Sequence, residues 1–307
     1  MILIGENIHI ISKSVKEAVL NKDETFFNNL IKNQSNMDYI DLNVGPAKGK
    51  FSGSLPWLTD LVQRENSNIG ISFDTTNYDE MVEGFKKFKN KCHAFINSTP
   101  SDVEKFDNLS ALAYATGSNI IALTLSKETG IPKSSDGRLE LALDMYERFK
   151  DNGIEPAKIF FDPLVLPVTA DQSQASEAIN TIKMIKESFD PPVNTVVGLS
   201  NVSNGCPAQL RPIINRVFAV LAYGAGLDAA IIDAKDIELV RILRMLEHKN
   251  PETESDELYI RLATMIENFE ELDDVSYNKN NREENLIIKT AGVILNKNVY
   301  SDSFTQI

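Results

Sequence analysis

The sequence predicts a (β/α)8 barrel, and three features lead to that expectation. Eight short apolar runs alternate with longer segments of helical period. The runs are near-continuous rather than alternating in polarity, and most end in a carboxylate or an amide. Strands of a parallel sheet covered on both faces read this way, because neither side of the sheet meets water. Eight such strands with helices between them match the barrel count, although a doubly wound open sheet alternates similarly. The strand-end polar residues favour the barrel. Only there do the carboxyl ends of all strands meet on one face and gather those residues into one cup.

In order, strands are expected at 1–6 (MILIGE), 39–45 (YIDLNVG), 69–74 (IGISFD), 93–97 (HAFIN), 119–125 (NIIALTL), 158–162 (KIFFD), 194–200 (NTVVGLS) and 227–233 (LDAAIID). Their polar ends are Glu6-Asn7, Asp41 with Asn43, Asp74, Asn97, Asp162, Ser200-Asn201 and Asp233. Any one of these is as good an N-cap for the following helix as a site residue. The set as a whole is better explained by a shared pocket. Among the helical segments, 139–150 repeats Leu139, Ala142, Met145, Tyr146 and Phe149 at three- and four-residue spacing, the period of a helix with one apolar face.

The rhythm breaks after a helix at roughly 236–247. Segment 247–285 carries 12 acidic against 4 basic residues. It opens with the turn-like Asn250-Pro251 and closes with YNKNNREEN. Between them Leu262, Met265, Ile266 and Phe269 have amphipathic spacing. It is expected to be an insertion outside the barrel body, either a partner or dimer surface or a solvated appendage. A last helix at 286–296 completes a single domain spanning 1–307.

The net charge of −13, from 31 basic and 44 acidic residues, argues against nonspecific nucleic-acid binding, which needs Lys and Arg to displace counterions. No apolar run is long enough to cross a membrane, and MILIGENIHI lacks the pattern of a secretory signal. Cys92 and Cys206 have no metal or disulfide spacing, which fits a reducing cytoplasm. His9, His93 and His248 are far apart, so no dedicated metal site is expected.

An ordered series of motifs runs through this frame: IDLNVGPA (40–47), FDTTN (73–77), INST (96–99), TGIPKSSDGRL (129–139), FDPLVLP (161–167), GLSNVSNG (198–205), RPIINR (211–216) and VYSDSF (299–304). Together they resemble the methyltetrahydrofolate:corrinoid protein methyltransferases, members of the pterin-binding barrel superfamily that includes dihydropteroate synthases. The resemblance covers nearly the whole chain except the acidic segment. It implies a reduced folate (methyltetrahydrofolate or tetrahydrofolate) as substrate, a corrinoid carried by a partner protein, and a homodimer. It does not distinguish partners serving acetyl-CoA synthesis, O-demethylation of aromatic ethers, or methylamine or betaine use.

By the same resemblance, Asp74, Asn97 and Asp162 hold the pterin ring. Their chemistry suits it: a pterin edge alternates donors and acceptors, and carboxylates and amides pair with both. Asn201 matches the asparagine near the methyl-bearing nitrogen. Its amide oxygen would stabilise positive charge as that nitrogen becomes protonated, with the proton coming from water through a hydrogen-bond network. Arg211 matches an arginine near the folate or its glutamyl tail, with a surface ion pair as its alternative. The stretch joining Asn201 to Arg211 is slightly longer than in the family. Asp41 and Asn43 are expected either beside the pterin or behind the residues that touch it, and Gly198 and Ser200 to let the loop approach the ligand. A dihydropteroate synthase-like enzyme and a pterin-binding protein without activity are the alternatives. In the former, a Ser-Arg-type motif serves substrate binding where this chain has Gly198-Leu199-Ser200-Asn201, with no cation. A corrinoid carrier is set aside because no histidine lies in an Asp-x-His-x-x-Gly pattern.

Overall fold

A computed structural model describes residues 1–304. Its strands are β1 (Ile2–His9), β2 (Tyr39–Gly45), β3 (Gly70–Thr75), β4 (Ala94–Thr99), β5 (Asn119–Leu123), β6 (Ile159–Asp162), β7 (Asn194–Gly198) and β8 (Ala229–Ile232). They pair in sequence order, all parallel, and β1 closes on β8 to complete a barrel. The helices are α1 (Lys13–Asn21), α2 (Glu24–Lys32), α3 (Ser54–Glu65), α4 (Tyr78–Lys87), α5 (Val103–Thr116), α6 (Ser135–Asp151), α7 (Ser173–Ser188), α8 (Arg211–Gly224), α9 (Ile237–His248), α10 (Glu254–Glu267) and α11 (Arg282–Ile294). None is long and apolar enough to cross a membrane.

Strand periodicity explains why the runs look continuous. Ile4, Tyr39, Phe95, Ile121, Phe160, Val196 and Ala229 form one cluster that fills the barrel interior. The residues on either side of them, such as Ile40, Ile96 and Phe161, join the larger clusters beneath the helices. Successive strand side chains take opposite faces, so both parities are apolar here. Two residues beyond four of the seven interior side chains the same parity turns polar: Glu6 after Ile4, Asp41 after Tyr39, Asn97 after Phe95, Asp162 after Phe160. The floor of the cup is therefore apolar and its rim is acidic.

Four strand ends differ from expectation by two residues or more: β4 continues to Thr99, β5 stops at Leu123, and β1 and β7 differ as well. β1 runs three residues past Glu6, with a register shift against β2 between Gly5 and Ile8, so Glu6 and Asn7 lie within the strand. β7 stops at Gly198, and Ser200 and Asn201 belong to a 3-10 turn at Leu199–Ser203.

The acidic segment is packed rather than loose. Thr253 and Asp256 form a capping box that starts α10. Arg241 of α9 reaches back to Asp256 at 2.7 Å. α10 lies along α8 and buries Leu258, Tyr259, Leu262 and Met265 in the cluster that also holds Val217, Phe218 and Leu221. Burying four such side chains contributes on the order of 10 kcal/mol before entropy is counted. Phe269 does not share that face, contrary to the spacing. The helix ends at Glu267 with Asn268 as its cap, Phe269 adopts a positive φ of 61°, and its ring is exposed. After α11, the backbone N–H of Tyr300 donates to Gln172 Oε1 (2.6 Å), and Tyr300 and Phe304 pack against the same cluster.

Candidate active site

The rim residues could have been helix caps, and the structure gives that task to others. Asn77, Asp102, Ser134 and Asp236 accept the free backbone N–H groups at the starts of α4, α5, α6 and α9. Asn77, Asp102 and Asp236 lie in the loops after Asp74, Asn97 and Asp233, and α7, which follows Asp162, starts without a side-chain cap. Asp74, Asn97, Asp162 and Asp233 are thus left at the mouth.

A hydrogen-bonded group spans β2, β3 and β4. Ser72 Oγ donates to Asp41 Oδ1 (2.5 Å), and Asn97 Nδ2 donates to the same oxygen (3.1 Å). Asn43 Nδ2 donates to Asp74 Oδ2 (2.5 Å), while Asn43 Oδ1 receives the N–H of Gly45. Strand register sets these pairs, because Asp41 lies opposite Ser72, and Asp74 lies between Asn43 and Asn97. Burial pushes the Asp41 carboxyl well above the usual range, and the nearby Asp74 charge pushes it further. Burial also raises Asp74, to about 6, against the pull of the Asn43 hydrogen bond. Two carboxyl groups this close and this buried resist ionising together.

Asp162 stands apart on β6. Its carboxylate accepts one hydrogen bond, from the Leu164 N–H (2.7 Å), and this fastens a turn in which Leu164 has a φ of 64°. Burial raises the carboxyl to about 7; the Leu164 N–H and the positive charge of Arg138 oppose the rise. Arg138 is itself fully buried and spends its donors on Pro132 O (3.0 Å) and Gln174 Oε1 (2.5 Å), with Nη1 lacking a partner. Asp162 therefore keeps acceptor capacity facing the cup.

A second group joins β1, the turn after β7, and β8. Ser200 Oγ donates to Glu6 Oε1 (2.5 Å), and Asn7 Nδ2 donates to Asp233 Oδ1 (2.6 Å). Glu6, Ser200, Arg211 and Asp233 line one open concavity of about 630 Å³. Arg211, at the start of α8, donates through Nε to Ser203 Oγ (3.2 Å). Among the described residues it makes no ion pair within 4.0 Å. Burial raises Glu6 to about 7 despite the Ser200 hydrogen bond.

Asn201 is exposed at the mouth beside this group. Its Oδ1 receives Asn204 Nδ2 (3.2 Å), so the oxygen becomes available to another donor by exchanging that bond. Its Nδ2 folds over Gly198, where a Cβ would sit 2.9 Å away. The glycine makes room for the asparagine. No hydrogen bond links Asn201 or Asp162 to either group. Sequence reasoning placed Glu6 and Asp233 in the shared polar cup without a specific role and overlooked Ser72. The available signal was parity, since each lies two residues from an interior-facing position: Ile4, Ile231 and Asp74, respectively.

Comparison with known proteins now bears on this geometry. A profile described as pterin binding enzyme matches residues 44–233. The methylcorrinoid:tetrahydrofolate methyltransferase of Eubacterium limosum is 29% identical over 237 residues, covering 76% of this chain and 85% of that protein. The methionine synthase of Mycobacterium tuberculosis is 28% identical over 179 residues, 56% of this chain but 15% of that much longer protein. The Mycobacterium leprae methionine synthase is 26% identical over 256 residues, 77% of this chain and 20% of its own length. Among solved structures, a Coxiella burnetii dihydropteroate synthase in complex with pteroic acid superposes with a TM-score of 0.59 at 18% identity, covering 81% of this chain and 94% of that one. A Yersinia pestis dihydropteroate synthase does so at 0.54 and 15%, covering 80% and 93%. These two likenesses establish the barrel.

Proposed function

The chain belongs to the pterin-binding enzyme family, and on that premise we propose that it is a methyltransferase acting between a reduced folate and the cobalt of a corrinoid. The corrinoid arrives as a substrate on a partner protein. The observation that carries this reading is the rim itself. Asp74, Asn97 and Asp162 come from three strands to one end of the barrel and are not consumed as helix caps. The methylcorrinoid:tetrahydrofolate relative, matched over most of both chains, supports the reaction class.

In this reading Asp74, Asn97 and Asp162 bind the pterin edge, with Asp41 and Asn43 holding Asp74 and Asn97 in place. A carboxyl near 6 or 7 accepts a ring N–H when ionised, and binding such a donor draws it into that form. Asn201 turns its amide oxygen toward the methyl-bearing nitrogen, where positive charge gathers during transfer. The contribution is larger in the transition state than in the ground state, which is what accelerates the step. The concavity lined by Ser200 and Arg211 is open to solvent, which suits access by a corrinoid protein. The place after β7 lacks the cation that a pterin diphosphate would need, which favours methyl transfer over a dihydropteroate synthase reaction.

The test is calorimetric titration with methyltetrahydrofolate, with no metal or corrinoid added. Micromolar binding, about −8 kcal/mol, lost in Asp162→Ala, is expected. Absence of binding by the folded wild-type protein would refute the folate reading.

A further inference from the structure

We infer that Glu6 holds the proton exchanged with the folate nitrogen during methyl transfer, passing it through the hydroxyl of Ser200. The inference rests on the methyl-transfer reading above and adds to it a residue to which neither the sequence motifs nor the family resemblance assigned a role.

Geometry singles out Glu6 among the acids of the cup. Asp41 is enclosed by Ser72 and Asn97, Asp74 by Asn43, and Asp162 fastens the Leu164 turn. Glu6 has one side-chain partner, Ser200, at 2.5 Å. Ser200 is the residue before Asn201, on the same 3-10 turn. A hydroxyl is both donor and acceptor, so Ser200 can take a proton on one side as it gives one on the other. Glu6 and Ser200 both line the open concavity shared with Arg211 and Asp233, which gives Glu6 a route to solvent. The charged groups facing Glu6 come from three directions: Asp233 from the end of β8 and Asp41 from β2 disfavour its ionisation, and Arg211 from α8 favours it. With burial as the largest influence, its carboxyl titrates near 7, where an acid serves as donor and its base as acceptor with similar ease.

The chemistry balances in both directions. When tetrahydrofolate is methylated, the nitrogen lone pair forms the new bond to carbon. The carbon–cobalt bond breaks with its electron pair left on the corrinoid, which goes from Co(III) to Co(I). The nitrogen's proton passes to Ser200, and the Ser200 proton to the Glu6 carboxylate. In the reverse direction Co(I) supplies the pair that forms the carbon–cobalt bond. The carbon–nitrogen pair returns to nitrogen, and the proton travels from Glu6 through Ser200 to that nitrogen. Glu6 does not touch the reacting atoms; it is a positioning residue acting through Ser200.

Glu6→Gln tests this, because glutamine keeps the shape and still accepts from Ser200 but cannot titrate. The measurement is the single-turnover absorbance change of free methylcobalamin with tetrahydrofolate, followed across the neutral pH range. The wild-type rate is expected to rise as pH passes about 7. Glu6→Gln should be slower by about a hundredfold and lack that inflection, while methyltetrahydrofolate binding by calorimetry is unchanged. Asp74 and Asp162 also titrate near neutrality, so the assignment rests on the difference between the two profiles. Ser200→Ala should reproduce the loss, and the double variant should be no slower than either single one, as expected for one relay. If Glu6→Gln fails to fold, Ser200→Ala carries the comparison. A variant with the wild-type rate and inflection overturns the role of Glu6 alone. A wild-type protein that binds the folate but exchanges no methyl group with either free or protein-bound cobalamin overturns the methyl-transfer reading and this inference with it.

Discussion

Replacing Asp162 by Asn should stabilise the fold at alkaline pH while weakening the site. In the folded chain the Asp162 carboxyl is raised from 3.8 to about 7, chiefly by burial. Between those two values the native state holds a proton that the unfolded chain has lost. Stability therefore falls as pH rises through this window and levels off above about 7. At roughly 1.4 kcal/mol for each pH unit crossed, ionising this one group in place costs about 4 kcal/mol at pH 8. Asparagine carries no charge, has the same shape and can keep the Leu164 N–H on its oxygen. Urea unfolding of both proteins should thus show near parity at acid pH, where aspartate is protonated in either state. At pH 8 the variant should be ahead by at least about 2 kcal/mol, allowing for relaxation of the site. A variant less stable than wild type at pH 8 would refute the reasoning, since it would mean that the ionised carboxylate is well solvated or paired where it stands. Strongly shifted carboxyls cluster at functional sites, which ties the stability measurement to the proposed function.

Other substitutions probe the rest of the site and the added segment. Asn201→Ala should slow single-turnover methyl transfer at least about tenfold, roughly 1.4 kcal/mol, and a full rate would sink the account of nitrogen activation. Gly198→Ala puts a methyl group 2.9 Å from Asn201 Nδ2, at the end of a side chain free to rotate, on a backbone with φ of −77° that alanine accepts. Stability should change by less than about 0.5 kcal/mol while the transfer rate drops with the displaced amide; an unchanged rate would separate Asn201 from the chemistry. Gly224→Ala would drive its Cβ into the carbonyl oxygen of Ala263 on α10, a backbone atom that cannot step aside. A loss of about 1–3 kcal/mol is expected in chemical denaturation, and no loss would mean that α10 does not press on α8 as described.

Much of this molecule was legible in order of sequence. The strands were located because a parallel barrel excludes water from both strand faces, and that leaves runs such as IGISFD and KIFFD with few alternatives. Asp74, Asn97 and Asp162 were found at their ends for a related reason: polarity has nowhere to go in such a strand except the mouth. Where the chain turns is less constrained. β1 continues past Glu6 because its pairing with β2 resumes beyond an irregularity, and β7 yields to a 3-10 turn at Leu199. Neither event changes hydrophobicity, so neither leaves a mark on composition. The helix of the acidic segment had a visible period, but its tight seat on α8 depends on Gly224 meeting Ala263 from a distant part of the chain.

The sequence by itself determined the barrel, the order of its strands and the membership of the acidic rim, because these follow from local pattern repeated eight times. Only the tertiary structure decided which rim residues act together. Glu6 and Ser200 are separated by nearly two hundred positions and meet because the barrel closes β1 on β8, beside the turn that follows β7. The shifted carboxyls arise the same way. Burial and the nearness of other charges are properties of the closed cup, and no strand carries them alone.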